Sequence, residues 1–316
     1  VYDQAEVYAS VCGMVNIVEH LDASLAADYC WQQLKSQTLE CERPHRHTAL
    51  ETLRLRWHDR HITATAAVLM ASYVNAVSSG KAAADCHRLS PSASVAYSPT
   101  PWLTTKVYYK DACRPATFND NYYTRSGSRD VRPERARNLG WGADVALSTQ
   151  RAKGVLSFEA YRAWVDDKIV AMPMNAFFWN VVNVGRVAIW GFEARLNGRG
   201  QATRWLAVEP ALNYTLQQSL NVTDPSSLYY RHQTAYTPLH SGNASLSLFT
   251  PWANVAVSWN GMTERWSTNT NLDATHISGH QVWNIAAWHD FAWRHHYFPA
   301  VAKSCTLRAE LLNIAN

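Results

Sequence analysis

The strongest constraint on this chain is an apolar–polar alternation of period two that recurs along most of its length. Trp190, Phe192, Ala194 and Leu196 alternate with Gly191, Glu193, Arg195 and Asn197. Leu103, Thr105, Val107 and Tyr109 alternate with Thr104, Lys106, Tyr108 and Lys110, and the same rhythm returns at Val255, Val257 and Trp259 and at Leu307, Ala309 and Leu311. Successive side chains of a strand point to opposite faces, so each segment has one apolar face and one that tolerates water or charge. Helical periodicity is confined to a short piece at Ala82–Asp85.

Taken in order, these segments predict about fourteen strands, with ends good to a few residues. They fall near 10–18, 24–36, 47–57, 61–77, 89–98, 102–112, 138–147, 154–167, 183–196, 204–217, 239–249, 253–261, 279–290 and 303–313. Many exceed the roughly five or six residues usual in soluble sheets. Short connections at 59–60, 99–101, 149–153, 198–203 and 250–252 alternate with longer ones at 78–88, 113–137, 168–182, 218–238 and 262–278. One end of the sheet is therefore expected to carry trim turns and the other large loops. The connection 291–302 departs from this rule.

Composition narrows the setting. Charged residues make up 17% of the chain, against about 25% in ordinary globular proteins, while Trp reaches 14 and Tyr 15. Wholly apolar runs such as Thr65–Ala71 are far shorter than the roughly 20 residues of a spanning helix. If the chain meets a membrane, it does so with strands. Long amphipathic strands, asymmetric connections and abundant aromatics together match an antiparallel transmembrane barrel, whose closed ladder pairs every backbone group in lipid. Trp102, Trp141, Trp164, Trp179, Trp252 and Trp293, near predicted strand ends, are expected to form interfacial girdles. A soluble all-β protein with ordinary core aromatics is the alternative that pattern leaves open.

Other chemistries find little support. The net charge of +4 is spread without a basic cluster, which argues against nucleic acid as a partner. Six widely spaced cysteines read as isolated thiols, and none of the thirteen histidines has ligand partners at metal spacing, so no metal or other cofactor is expected. Gly198-Arg199-Gly200, read as a turn, lacks the Lys and Ser/Thr of a phosphate loop. Asp166-Asp167 and Asp85 with His87 have no accompanying nucleophile; no catalytic residue is assigned and the protein is not expected to be an enzyme. Val1 follows no signal peptide and Asn316 directly follows an alternating segment, so both ends are expected to be cut from a longer precursor.

The connection from Arg114 to Glu134 is long, polar and bounded by Pro115 and Pro133, a setting in which functional surface concentrates. Its order of Arg114, Pro115, Thr117, Phe118, Asn119, Asp120, Tyr122 and Tyr123, then Gly127, Val131, Pro133 and Glu134, resembles a segment of the TonB-dependent outer-membrane receptors. Val165–Ile169, Asn183–Gly185 with Gly191–Glu193, and Glu310–Asn313 resemble later barrel strands of that family. Pro115 stands one place early, Asn121 replaces a usual Leu, and Ser128 replaces the Asn after the glycine.

The resemblance implies the C-terminal part of a barrel of roughly 22 strands that closes around a plug. Residues 1–316 are then expected to form one incomplete all-β barrel without the plug. The implied function is energy-coupled uptake of a siderophore, cobalamin or a similar large solute across the bacterial outer membrane. The implied partners are membrane lipid, a small-molecule or chelate ligand, and a TonB-type energy transducer reached through N-terminal regions. A passive pore or structural barrel, and more remotely a β-rich hydrolase, are the other readings. On the long-loop side, Tyr122, Tyr123, Arg125, Trp179, Asn180, Tyr229, Tyr230, Arg231 and Trp266 offer aromatic plates and forked donors suited to ligand capture.

Overall fold

The computed structural model describes residues 2–124, 126–173, 179–292 and 304–314. Twelve strands follow one another as an antiparallel meander. They are β1 (Tyr2–Val18), β2 (Leu21–Ser36), β3 (His45–His58), β4 (Ile62–Ala76), β5 (Cys86–Thr100) and β6 (Leu103–Arg114), then β7 (Glu134–Ser148), β8 (Ala152–Pro173), β9 (Trp179–Thr203), β10 (Leu206–Asn221), β11 (His240–Phe249) and β12 (Asn254–Met262). A two-residue ladder, β13 (Arg265–Trp266) with β14 (His276–Ile277), sits in the next loop, and β15 (His280–Ala292) and β16 (Ser304–Leu311) complete the sheet. The result is a single 14-stranded sheet in sequence order, with β1 and β16 as its edges.

Register sorts the side chains into two faces. Leu25, Leu53 and Val68 stand in one cross-strand row, and Ala66, Ala93, Tyr109 and Leu139 in another. On this outward face Leu25, Leu53, Val68, Leu139, Leu246, Trp283 and Leu307 are all exposed. Exposed Glu51 and Arg162 share this face, which is otherwise largely apolar, as a surface covered by lipid is. The opposite face is polar: Arg56 is ion-paired with Asp22 and its Nε donates to that carboxylate at 2.9 Å, Arg54 donates to Ser24 at 3.1 Å, and Tyr108 donates to Glu159. Pro91 has no N–H to give, and the β5–β6 ladder starts only at Ser92 and Lys110.

Several sequence expectations need correction. β1 begins at Tyr2 rather than near residue 10, and β8 and β9 extend to Pro173 and from Trp179, through most of the span read as a long connection at 168–182. The alternation stalls at Asp166-Asp167, yet the ladder continues from Asp166–Arg186 to Lys168–Val184 because Asp167 takes a φ of 54°, a conformation Asp tolerates. Gly198–Thr203 is not a turn either: it belongs to β9, and the tight turn is Arg204-Trp205. Ala82–Asp85 is not helical, whereas Phe118–Tyr122 forms helix α1. The irregular connection at 291–302 lies, from Trp293 onward, outside the described residues. Of the expected girdle, Trp102, Trp141, Trp164 and Trp252 are exposed, Trp293 falls outside the described residues, and the same is true of the Trp179 side chain.

Candidate functional site

The long connections gather at one end of the sheet, and the 115–133 loop between β6 and β7 binds its neighbours into one assembly. Its base is closed by Arg114, which faces Glu134 in register and donates to it at 3.1 Å. The same Glu134 carboxylate accepts from the Ile169 N–H at 3.0 Å, which fixes the start of β7 against β8. Within the loop, Thr117 caps α1. Its hydroxyl accepts from the Asp120 N–H at 3.1 Å while the Asp120 carboxylate accepts from the Thr117 N–H at 2.9 Å. This reciprocal cap satisfies two donors that a helix start leaves open.

Tyr122 is the loop's anchor, 1% exposed, packed with Cys41 and Ala83 and stacked near Phe118. Its hydroxyl accepts from the Ala83 N–H at 2.8 Å and its carbonyl accepts from the Glu40 N–H at 2.8 Å, so one residue ties three loops together. Burial pushes the Tyr122 phenol and the Cys41 thiol above their ordinary pKa values. Gly127 allows the chain to fold back: a Cβ there would stand 2.5 Å from the Tyr123 nitrogen. The loop's exit is held by Arg132, whose side chain pairs with Asp167 and whose N–H donates to Asn183 Oδ1 at 2.8 Å. The hydrogen bonds to Asp167 raise the Arg132 guanidinium pKa.

A second assembly joins the β10–β11 loop to the β12–β15 loop. Asn271 Oδ1 accepts from the Gln233 N–H at 2.7 Å, Asn269 Oδ1 accepts from the Ala235 N–H at 2.8 Å, and the Trp266 carbonyl accepts from the Tyr236 N–H at 2.7 Å. The ordered sheet, its apolar face and these loops gathered at one end describe the wall of a membrane barrel. Residues 52–314 match the family model described as "TonB dependent receptor-like, beta-barrel". The chain belongs to the TonB-dependent receptors.

As a member of that family, this receptor barrel resides in the bacterial outer membrane. Among solved structures it is similar to the FrpB iron transporter of Neisseria meningitidis in its apoprotein form, at 15% identity and a TM-score of 0.68, covering 99% of this chain and 52% of that one. The copper transporter OprC aligns at 12% identity and a TM-score of 0.71, covering 99% and 50%. The Serratia marcescens hemophore receptor HasR aligns at 15% identity and a TM-score of 0.67, covering 99% and 56%. The chain thus spans about half the length of the structures it matches. A comparison with the curated proteins finds no match.

The receptor distributes its sequence-nominated ligand residues over both assemblies. Tyr122, read from sequence as a contact plate, is core instead, with its hydroxyl engaged by Ala83. Tyr123 is half-buried and bridges Leu39. Arg125 lies outside the described residues, as does the side chain of Trp179, and Asn180 pairs with Met172 inside the β8–β9 hairpin. In the second assembly Tyr229 and Arg231 are exposed, Tyr230 is half-buried, and Trp266 packs edge-on against His276 at 6.2 Å. The motif residues Arg114, Thr117, Asp120, Gly127 and Glu134 build the loop. Phe118 lies under the Arg46 guanidinium, Asn119 accepts the Tyr123 N–H, and Pro115 and Pro133 line a cavity. Arg46 and Cys113 were missed by sequence reasoning; Cys113 meets Cys86 with sulfurs 4.0 Å apart, just beyond the interruption at Pro91.

Proposed function

We propose that this chain supplies the barrel of an outer-membrane receptor that takes up a scarce nutrient, such as siderophore-bound iron, cobalamin or another large solute, by energy coupling. The observation that carries this reading is the family match joined to a polar inner face whose mouth is framed by two cross-braced loop assemblies. Relatives described as iron and copper transporters support uptake of a metal-bearing cargo without fixing which one. The strand edges β1 and β16 expose backbone groups that lipid cannot satisfy, so further strands complete the cylinder, and a plug with a TonB-type transducer supplies the coupling. The proposed capture residues are Tyr123, Arg125, Trp179, Asn180, Tyr229, Tyr230, Arg231 and Trp266.

The test is short-term uptake of a labelled ferric chelate or of labelled cobalamin by a receptor-deficient bacterium expressing the full-length gene, with and without collapse of the proton gradient. Receptor-dependent uptake of one of these that stops when the gradient is collapsed supports the proposal. Passage of small solutes that survives collapse of the gradient identifies a passive pore and overturns it.

A further inference from the structure

By spacing alone the six cysteines read as isolated thiols, yet the fold brings two of them together. Cys86 opens β5, directly after the β4–β5 connection, and Cys113 stands next to last in β6, at the entry to the 115–133 loop. Their sulfurs, both half-buried, lie 4.0 Å apart. Side-chain rotation alone brings two thiols this close to bonding distance. Cys41, by contrast, is buried in the Tyr122 cluster, and Cys12 and Cys305 are exposed on the edge strands β1 and β16. The pair sits at a seam in the sheet. β5 keeps its ladder with β4 from Val68–Pro91 to Tyr73–Cys86, and β6 keeps its ladder with β7 through Cys113–Arg135 to Arg114–Glu134. Between β5 and β6 the ladder ends at Ser92–Lys110, next to Pro91, which has no N–H to offer. Inside the seam Ser90 is 3% exposed and its hydroxyl is buried without a partner. Beyond Pro91 each strand is therefore held by its ladder from one side only.

A protein of the bacterial outer membrane passes through the oxidising periplasm, a compartment in which disulfides form and persist. A zinc site needs a larger ligand set, and among the described residues no group of three or more His, Cys, Asp or Glu side chains is placed to hold a metal. We propose that Cys86 and Cys113 are a modification site, joined by a disulfide in the exported receptor, and that this bond closes the seam and fixes the roots of the β4–β5 and β6–β7 loops. The step is thiol–disulfide exchange with a periplasmic protein disulfide. The thiolate of one cysteine attacks a sulfur of that disulfide and expels the other sulfur as a thiolate. The thiolate of the second cysteine then attacks the mixed disulfide and expels the remaining donor sulfur. Cys86 and Cys113 together give up two electrons and two protons, and the donor disulfide becomes two thiols. The new covalent bond stands where the ladder has no rungs, at the feet of two loops that the Tyr122–Ala83 hydrogen bond also ties together.

The experiment is differential alkylation of the full-length receptor in a bacterium that exports it to the outer membrane. Cells are quenched in acid so that thiols neither oxidise nor exchange, free thiols are blocked with maleimide under denaturing conditions, and the digested protein is read by mass spectrometry before and after reduction. Without reductant, the peptides carrying Cys86 and Cys113 should be recovered joined and free of maleimide. After reduction they should separate, and each should take up a second alkylating reagent. Maleimide on both cysteines before reduction, or a bond from either one to a different thiol, overturns the site. The seam is read by protease. Reduction should speed cleavage of the folded receptor within residues 115–133 by about tenfold or more, the loss of one cross-link. A Cys86→Ser, Cys113→Ser double variant should be cleaved at the faster rate with or without reductant. Equal cleavage of the joined receptor before and after reduction, or an equal acceleration by reductant in the double variant, overturns the fastening role. The alkylation result needs no variant, so it decides the site even where the double variant fails to fold.

Discussion

The Tyr122 hydroxyl accepts the Ala83 N–H at 2.8 Å, across 39 residues of sequence, inside a cluster that also buries Cys41. This one bond joins the loop of the family motif to the β4–β5 connection. It makes the motif a fastener of the receptor's mouth.

Removing the hydroxyl tests that role. Tyr122→Phe keeps the ring in its cluster and leaves the Ala83 N–H buried without an acceptor, at a cost of about 1–3 kcal/mol. Loop opening should become about tenfold or more frequent, read as faster maleimide labelling of Cys41 in the otherwise cysteine-free receptor. Labelling at the unaltered rate would mean that the cluster holds without the bond.

The same phenol predicts a pH response. Burial raises the Tyr122 pKa above the ordinary 10.0, so as pH rises through that value the undocked loop releases its proton before the docked one. Docking is therefore fully supported below pH 10.0 and weakens above it. Subtracting the phenolate absorbance titration of Tyr122→Phe from that of the unaltered receptor should leave a single step centred above 10.0. A step at the ordinary value would show a solvated ring.

How much of this was legible in the sequence depends on which contacts were local. Period-two alternation carried the fourteen-strand meander because each strand's two faces meet lipid on one side and polar surface on the other. It failed at Asp166-Asp167, where a polar pair interrupts the pattern but a left-handed Asp167 keeps the ladder going. Helix α1, at five residues, is too short to show a period, although Thr117 followed three places on by Asp120 is a capping signal that was there to be read. The roles of Tyr122 and Arg46 were not readable. Their partners lie 39 and 70 residues away, and nothing local distinguishes a loop tyrosine that faces water from one that anchors three loops.

Gly127 offers a steric test of the fold-back. A methyl group there would meet the Tyr123 nitrogen at 2.5 Å and the Tyr122 nitrogen at 2.8 Å, both backbone atoms that cannot swing aside. Gly127→Ala should therefore destabilise the loop by about 1–3 kcal/mol and speed its cleavage by protease, with barrel assembly intact. Gly13→Ala in β1, where a Cβ meets nothing within 4 Å, serves as the matched control and should change neither property. Equal cleavage of the two variants would refute the steric argument.

The barrel wall has its own joints, and they separate wall stability from loop function. Tyr108 lies across Gly140 on the neighbouring strand, and Tyr161 lies across Gly191 in the same way, with each ring filling the space a side chain would take. Both rings are also fastened on the polar face, Tyr108 by donating to Glu159 and Tyr161 by donating to Gln217 at 3.2 Å. Gly140→Ala must therefore displace a bonded ring, at a cost of about 1–3 kcal/mol. Its effect should appear as a lower temperature for the mobility shift that barrels show on heating in detergent gels, with Cys41 still protected. Because the clash needs both partners, adding Tyr108→Ser to Gly140→Ala should recover part of the loss, a coupling of about 0.5–3 kcal/mol between residues in contact. Strictly additive losses would show that the ring and the glycine act independently, and the joint would then be an accident of packing.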